Sequence, residues 1–205
     1  MIPSPASTVV LVREAENDIE TLLLLRNSKL TFEGGAWVFP GGKVDPDDYP
    51  EQGAANEAAA SDSVQQAYHA AVNAAIRETR EEAGLDINSS ELIHIAHWTT
   101  PLGLPRRYAT WFFLCPLQTS VEIVVDDDEI LDYQWLTPRM ALALHEAGTI
   151  RLPKPTSHTL QSIAHYNSVT RLCADMRQMD VHVFPENSDY YQPVSGPVTG
   201  RRSDC

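Results

Sequence analysis

The chain has 205 residues, of which 43% are hydrophobic and 21% are charged, which is enough for one domain with a buried core. Fifteen Lys and Arg against 28 Asp and Glu give a net charge of −13, which argues against nucleic acid or an anionic membrane surface as a partner. The apolar runs are too short to span a bilayer and the N-terminus lacks a basic signal region, so a cytoplasmic location is expected.

Six apolar runs rich in Val, Leu and aromatic residues predict β-strands. They cover residues 7–12, 19–26, 36–39, 93–99, 108–115 and 131–136. An Ala-rich segment without Pro or Gly predicts one long helix over residues 61–83. Two further helices are predicted from Pro138 to Glu146 and from Thr156 to about Arg177, because a proline opens or precedes the first turn of each. This irregular alternation of strands and helices is typical of a mixed α/β fold.

The composition predicts one domain over residues 1–178, followed by a C-terminal tail over residues 179–205. Pro, Gly and polar residues dominate the tail, so it has little surface to bury. The tail is therefore expected to be extended or disordered, above all from residue 188.

Cysteine and histidine patterns do not indicate a disulfide framework or a zinc cluster. The three cysteines are too few and too far apart in the chain. His94 and His97 are three residues apart in a predicted strand, which places them on opposite faces. No metal site built from these two histidines is expected.

The C-terminal half of the predicted long helix carries three glutamates on one face. At 3.6 residues per turn, Glu78, Glu81 and Glu82 share one side of the helix. Repulsion between Glu78 and Glu82 costs about 0.2–0.5 kcal/mol, and the C-terminal end of a helix dipole disfavours anions. A bound Mg²⁺ or Mn²⁺ would offset both effects, since these cations prefer oxygen ligands. The alternative is a solvated acidic face in which Arg77 pairs with Glu81.

A glycine pair lies upstream of this helix. Pro40-Gly41-Gly42 follows the apolar run 36–39, and paired glycines let the backbone turn sharply or approach a ligand closely. Together with Asp48 and the segment Arg77-Glu78-Thr79-Arg80-Glu81-Glu82-Ala83-Gly84-Leu85, this arrangement resembles the Nudix box, G-x5-E-x7-R-E-U-x-E-E-x-G-U. The fixed positions of its second half would arise by chance in about one chain of this length in ten thousand.

Three features depart from the Nudix box. Asp48 stands where the box has glutamate, Thr79 stands at an aliphatic position, and the spacer from 49 to 76 has 28 residues where the motif has seven. An insertion at about residues 49–69 is similar to one branch of the family, which includes peroxisomal coenzyme A diphosphatases and bacterial homologues. Residues 98–101, 105–108, 135–138 and 153–156 fit the same branch, so the resemblance covers about residues 7–171.

The resemblance implies a Nudix fold, in which a mixed β-sheet is sandwiched between α-helices. It also implies that Glu78, Glu81 and Glu82 bind Mg²⁺ or Mn²⁺. Gly42 would bring the backbone close to the metal, and Arg77 would orient the carboxylates. Known members of the family hydrolyse a nucleoside diphosphate that is linked to another group.

Hydrolysis of a diphosphate needs a carboxylate that takes a proton from the attacking water. Glu81 or Glu82 could do so, but family members often use a glutamate from a loop outside the box. Glu129, at the end of the acidic run 126–129, is the candidate for that glutamate. The alternative for this run is a solvated turn between two strands.

Three arginines are candidates for binding the substrate's phosphates. Arg26 ends a predicted strand that leads to the glycine pair, and Arg106 and Arg107 precede another strand. Each arginine is equally well explained as a surface charge. Four aromatic residues could stack on a nucleobase or belong to the core, namely Trp37, Trp98, Tyr108 and Trp111.

Together these features predict a metal-dependent Nudix hydrolase of a small-molecule nucleoside diphosphate derivative, with coenzyme A or an acyl derivative as the leading substrate. Hydrolysis of another dinucleotide or nucleotide sugar, such as NADH or ADP-ribose, is the alternative among enzymes. A Nudix-fold regulator that binds a nucleotide without hydrolysis is the alternative from another class, although such modules often lose the box glutamates. The sequence leaves open whether the chain forms a homodimer.

Overall fold

A computed structural model describes residues 2–50, 61–117 and 121–194 of the chain. The β-strands are β1 (Ser4–Ala15), β2 (Asp18–Arg26), β3 (Trp37–Val38), β4 (Gly41–Lys43), β5 (Ile93–Thr99), β6 (Tyr108–Pro116), β7 (Ile130–Leu136) and β8 (His182–Phe184). The helices are α1 (Ser61–Ala83), α2 (Pro138–Glu146), α3 (Lys154–Ile163) and α4 (Val169–Met176). Residues 51–60 of the predicted insertion and residues 195–205 of the predicted tail lie outside the described residues. No helix in the described ranges is long and apolar enough to cross a bilayer.

The described strands form one mixed sheet organised around β1. The strand order is β3-β2-β1-β6-β5-β8, with β4 beside β1 and β7 beside β2. β1 runs parallel to β6, from Ser4 opposite Tyr108 to Val12 opposite Pro116. The second half of β1 also pairs with β2, and its first half pairs with β4. β1 therefore holds the glycine-containing strand β4 at a fixed register.

The two faces of the sheet are buried by different helices. Ala71 and Ala75 of α1 pack on one face with Val9 of β1, and these small side chains let the helix lie close to the sheet. Helices α2, α3 and α4 cover the other face, where Leu160 packs in one cluster with Val10. Successive residues of β1 enter opposite layers because the side chains of a strand alternate. The predicted sandwich of a mixed sheet between helices is confirmed.

The predicted strands and the first two predicted helices are present at or near their expected bounds, but the third helix is not continuous. Within the predicted helix, α3 ends at Ile163 and α4 begins at Val169, so residues 164–168 interrupt it. Glu14 of β1 reaches the start of α4, where its Oε1 accepts hydrogen bonds from the Val169 N–H at 2.8 Å and the Ser168 hydroxyl at 3.3 Å. A carboxylate there satisfies free N–H groups and favours a new helix start. The prediction of one continuous helix was wrong. The contact that favours a second helix start joins Glu14 and Val169, which are 155 positions apart, so a local sequence pattern does not show it.

The first part of the predicted tail belongs to the sheet. β8 pairs in parallel with β5, and the ring of Phe184 stacks on Trp98 with centroids 4.0 Å apart. The hydroxyls of Thr99 and Ser188 share a hydrogen bond of 2.7 Å, and Tyr191 packs into the core layer on the α1 side. Residues 182–191 are therefore anchored to both faces of β5. The sequence did not predict this strand, because three residues are too few to show a period.

His94 and His97 lie on the same face of the sheet, which corrects the prediction. A β-bulge shifts the register of β5 against β6 between His94 and Ala96. Because a bulge inserts one extra residue, strict alternation of side chains fails there. Both imidazole rings contact Trp111 and Tyr191, at centroid distances of 4.8 to 6.0 Å. Burial lowers the pKa of His94 to about 3 and the pKa of His97 to about 4.

These histidines lead us to expect a loss of stability in acid. Both rings stay neutral in the folded chain well below their ordinary pKa of 6.5, whereas the unfolded chain binds protons below pH 6.5. The free energy of unfolding should therefore fall as the pH drops from 6.5 towards 4, and not above 6.5. The slope should approach about 1.4 kcal/mol per pH unit for each histidine.

Urea unfolding of His97→Phe at several pH values measures this contribution. Neither ring nitrogen of His97 has a hydrogen-bond partner among the described residues, so phenylalanine removes the titration without breaking a hydrogen bond. In His97→Phe, the slope of the free energy of unfolding against pH should decrease by up to about 1.4 kcal/mol per pH unit. His69→Phe, at an exposed position of α1, is the control and should leave the slope unchanged. An unchanged slope in His97→Phe would contradict the assignment.

Candidate active site

Strand β4 and the C-terminal half of α1 meet in close contact. Gly42 of β4 pairs with Ser7 of β1, which fixes its position in the sheet. A Cβ atom on Gly42 would overlap the carboxylate of Glu78. Only glycine at this position therefore allows α1 to bring Glu78 so close to the backbone of β4.

Arg77 lies at the centre of a network of carboxylates. Its guanidinium makes a two-point contact with Asp48, from Nε to Oδ1 at 3.1 Å and from Nη2 to Oδ2 at 2.8 Å. Nη1 donates to Glu78 Oε1 at 2.8 Å and to Glu81 Oε2 at 3.2 Å, while Nη2 also donates to the Lys43 carbonyl at 3.0 Å. The hydrogen bond to Asp48 is the largest of the effects that raise the pKa of Arg77 above its ordinary value. Arg77 thus orients two of the three box glutamates.

Asp48, the first departure from the Nudix box, is the buried anchor of this network. Its side chain is 5% exposed. It closes a short 3₁₀ turn, Pro46–Asp48, in which its Oδ2 accepts the Asp45 N–H at 2.8 Å. Asn73 of α1 donates from Nδ2 to the Asp48 carbonyl at 2.8 Å. Because the turn is held against α1 in this way, the shorter aspartate side chain reaches Arg77.

The other two departures leave the carboxylate face unchanged. Thr79 is fully buried, and its hydroxyl donates to the Ala75 carbonyl at 2.7 Å. The accepting carbonyl lies one helical turn earlier and satisfies the hydroxyl, so threonine can occupy a buried position where the box has an aliphatic residue. The insertion lengthens α1 at its N-terminal end, since residues 61–69 belong to this helix.

Glu82 is the most buried of the three box glutamates, with a side chain 5% exposed against 16% for Glu78. Its Oε2 accepts the Gly41 N–H at 2.8 Å. Burial raises the pKa of Glu82 to about 8, against the lowering effects of the Gly41 N–H and Arg26. Burial also raises the pKa of Glu78, against the effect of Arg77. Both carboxylates therefore occupy positions where a negative charge is costly without a nearby cation.

Arg26 and Glu129 meet beside Glu82. Nη1 of Arg26 lies 3.5 Å from Glu82 Oε1, and Nη2 lies 3.6 Å from Glu129 Oε2. Asn27 holds the acidic run, because its N–H donates to the Glu129 carbonyl and its Nδ2 to the Asp128 carbonyl, each at 2.8 Å. The pairing of β2 with β7 thus brings the loop glutamate to the face of α1.

Two asparagines that support the site were not identified from the sequence. Asn73 holds the Asp48 turn, and Asn27 holds the backbone of Glu129. Asn73 lies one turn before Arg77 on the same helix face, so the helical period could have predicted that it lies beside the site. Asn27 carries no such signal, since its partners are set by the fold.

The other two candidate arginines lie in the loop between β5 and β6. Arg106 is exposed. Arg107 is 7% exposed, its Nε donates to the Thr100 carbonyl at 2.9 Å, and its guanidinium lies 5.4 Å from the ring centroid of Tyr190. Arg107 therefore connects this loop to the C-terminal segment.

The four candidate aromatic residues divide between the core and partly open positions. Trp37 and Trp111 are 7% and 6% exposed and belong to the core. Trp98 is half-buried beneath β8. Tyr108 is also half-buried, and the ring of Phe32, from the loop before β3, packs against it at 5.0 Å.

The donor chemistry of the site fits a divalent cation. Glu78, Glu81 and Glu82 offer carboxylate oxygens from one helix face, and Mg²⁺ and Mn²⁺ prefer such ligands. Within the described residues, no three acidic, histidine or cysteine side chains are close enough together to form a complete metal site. The glutamates instead contact Arg77 and Arg26. A cation would compensate the charge of the buried carboxylates, so the residues fit the group that the resemblance implies.

Comparison with known proteins identifies the family. The NUDIX domain matches residues 3–60 and 65–156, which together make up more than half of the chain. The matched segments include the glycine pair, the carboxylate face of α1 and Glu129. The chain therefore belongs to the NUDIX family, as its sequence predicts.

A solved structure and two curated proteins are similar to the chain. The crystal structure of a NUDIX hydrolase from Alicyclobacillus acidocaldarius has a TM-score of 0.69 and 22% identity over 85% of this chain and 96% of that chain, which supports the fold. The acyl-coenzyme A diphosphatase NUDT19 is 34% identical over 77 residues in Homo sapiens and 30% identical over 81 residues in Xenopus laevis. These segments cover 37% and 38% of this chain. The chain spans about a fifth of these relatives, 20% and 21%.

The close approach of Gly42 to Glu78 leads to a test of the metal ligands. In Gly42→Ala the added Cβ would overlap the Glu78 carboxylate, so the side chain or β4 must move. We expect Mn²⁺ affinity, measured by calorimetry, to fall about 10- to 100-fold, as is usual when groups that position metal ligands change.

Gly148→Ala is the control for this variant. Its φ of +73° makes alanine strained, but the added Cβ would meet no atom within 4 Å. It should lower the melting temperature and leave Mn²⁺ affinity unchanged. Normal Mn²⁺ affinity in Gly42→Ala would show that Mn²⁺ binding does not depend on the close approach of Glu78 to Gly42.

Proposed function

We propose that the chain is a metal-dependent hydrolase that cleaves the diphosphate linkage of a nucleoside diphosphate derivative. The observation that carries this proposal is the approach of Glu78 and Glu82 to the glycine pair, where Arg77 links Glu78 to Glu81 and Arg26 lies between Glu82 and Glu129. Burial raises the pKa values of Glu78 and Glu82, which makes their charged forms unfavourable. Carboxylates with raised pKa values are typical of functional sites. Membership of the NUDIX family supports the same activity.

Glu78, Glu81 and Glu82 would hold the Mg²⁺ or Mn²⁺ ion. When bound, this ion would neutralise the diphosphate and lower the pKa of a water molecule. Arg77 would keep Glu78 and Glu81 pointed at the site, because its guanidinium is anchored on Asp48 outside the helix. Gly42 would leave room for the carboxylates beside the backbone.

Glu129 is the proposed general base. Its side chain is 55% exposed, so water reaches the carboxylate, while Asn27 fixes the Glu129 backbone. A base with a fixed backbone and an open side chain can take a proton from the attacking water and release it to solvent. Glu81, with a side chain 58% exposed, is the second candidate for this role.

Arginines would bind the phosphates of the substrate. Arg26 lies between Glu82 and Glu129, and Arg106 is exposed in the loop between β5 and β6. Arg107 would act from the base of the same loop, since its guanidinium is held by Thr100 and Tyr190. A guanidinium suits this task because it donates two parallel hydrogen bonds to a phosphate.

Coenzyme A or acyl-coenzyme A is the leading substrate. The support for it is the local similarity to two acyl-coenzyme A diphosphatases, together with the insertion in the box. Cleavage would fall between the two phosphates and give 3′,5′-ADP and phosphopantetheine or its acyl derivative. The partner of the protein would be this small molecule, and a homodimer stays a prediction.

Glu82→Gln tests whether the carboxylate face is catalytic. The variant should lower kcat by about three orders of magnitude or more, because metal-borne stabilisation is worth several kcal/mol and about 1.4 kcal/mol is a factor of ten. The metal-free melting temperature should not fall, since a neutral amide replaces a buried carboxylate and its oxygen can still accept the Gly41 N–H.

Glu146→Gln is a matched control for this variant. Glu146 also lies at the C-terminal end of a helix, α2, but is exposed. Its removal should leave kcat unchanged. Near-normal turnover in Glu82→Gln would mean that the face of α1 is solvated surface and not a metal site.

The substrate is tested by comparing kcat/KM for coenzyme A, an acyl-coenzyme A, ADP-ribose and NADH, each with Mg²⁺ and with Mn²⁺. We expect the highest kcat/KM for one of the coenzyme A compounds. A preference of about a hundredfold for ADP-ribose or NADH would favour the alternative enzyme. Binding of these compounds without turnover of any of them would favour a regulator.

A further inference from the structure

The two arginines of the site contact their carboxylates in different ways. Arg77 makes hydrogen bonds of 2.8–3.2 Å through all three of its side-chain nitrogens. Among the described residues, the guanidinium of Arg26 makes only longer contacts, 3.5 Å to Glu82 and 3.6 Å to Glu129. Nε of Arg26 is buried and has no hydrogen-bond partner there. Because a guanidinium carries five N–H donors, Arg26 has donors to spare and Arg77 does not.

The backbone of Arg26 is fixed although its side chain is loosely held. Its N–H donates to the Ala36 carbonyl at 3.0 Å, and its carbonyl accepts the Gly35 N–H at 2.9 Å. The side chain is 17% exposed, so the guanidinium is open to solvent on one side. Any rearrangement of Arg26 is therefore confined to its side chain.

Arg26 and a divalent cation would compete for the charge of Glu82. One of its oxygens, Oε2, already accepts the Gly41 N–H at 2.8 Å. The other, Oε1, faces Arg26. A cation would use this oxygen and would also repel the guanidinium. In that state Arg26 still faces Glu129 and has donors available for the diphosphate, since guanidinium and phosphate match in geometry and charge.

We propose that Arg26 is an exchangeable counter-ion of the site. It faces Glu82 and Glu129 before the divalent cation binds, and it passes to a phosphate of the substrate once the cation has taken Glu82. This inference rests on the proposed function, because it requires a cation at Glu82. Cation binding and diphosphate binding then strengthen each other through one side chain. Glu129 loses its ion pair only when the phosphate is in place, so the proposed base is released together with substrate binding.

Mn²⁺ affinity in the absence of substrate distinguishes exchange from a structural role. If Arg26 competes with the cation, Arg26→Gln should bind Mn²⁺ about three- to tenfold more tightly than the unmodified protein in calorimetry at fixed pH. If Arg26 only holds Glu82 in place, the same variant should bind Mn²⁺ more weakly. Arg139→Gln removes a charge from an exposed position on α2 and should not change the affinity.

The other half of the exchange is measured with α,β-methylene-ADP, a diphosphate that resists hydrolysis. Mn²⁺ should strengthen its binding to the unmodified protein, and Arg26→Gln should lose about tenfold or more of that strengthening, whereas Arg139→Gln should retain it. Arg26→Lys guards against misfolding, since it keeps the charge. It should bind Mn²⁺ with normal affinity and bind the diphosphate more weakly, because it lacks the two-point contact.

The outcomes separate this inference from the proposed function. Absence of Mn²⁺ binding in the unmodified protein would contradict the proposed function and the exchange together. Normal Mn²⁺ binding by the unmodified protein, combined with equal or weaker binding by Arg26→Gln, would overturn the exchange alone. Unchanged coupling between Mn²⁺ and α,β-methylene-ADP in Arg26→Gln would overturn it as well.

Discussion

The two-point contact between Arg77 and Asp48 is the interaction on which the site depends. An arginine beside three glutamates on one helix would by itself pair with the glutamate one turn away and form a solvated surface bridge. That bridge to Glu81 exists, at 3.2 Å, but the contacts to Asp48 and Glu78 are shorter, at 2.8 Å. Asp48 is buried and lies outside α1, in the turn Pro46–Asp48. It therefore fixes the Arg77 guanidinium between this turn and α1. Charge repulsion within the helix is thereby reduced without a bound cation.

Backbone geometry determines how close the carboxylates come to one another. β1 fixes the register of β4, and Gly42 allows Glu78 to approach, while the Gly41 N–H binds Glu82. Ala71 and Ala75, which lie on the same face of α1 as Glu78 and Glu82 but earlier in the helix, let it lie close against the sheet. The site is thus a consequence of small residues at two places, one in the strand and one along the helix.

Features that repeat within a short segment could be predicted from the sequence. The carboxylate face follows from the helical period and needs only residues 78–82, and the core strands follow from continuous apolar runs. The features that were missed depend on contacts between distant residues or on a local irregularity. Glu14 starts α4 through a contact over 155 positions, and a bulge between His94 and Ala96 moves one histidine to the other face. Arg26 and Glu129 were both identified as candidates, but only the pairing of β2 with β7 shows that they meet.

The proposed activity on a diphosphate requires that an acidic protein attract an anionic substrate. The net charge of −13 repels any polyanion at a distance, but at an ionic strength of about 0.1 M this repulsion is screened beyond about 10 Å. A small diphosphate therefore responds mainly to the charges that it meets in the site. Without a divalent cation, the carboxyl groups Asp48, Glu78, Glu81, Glu82 and Glu129 outnumber the guanidinium groups of Arg26 and Arg77, so the site has no excess of positive charge. Substrate affinity should consequently follow cation loading.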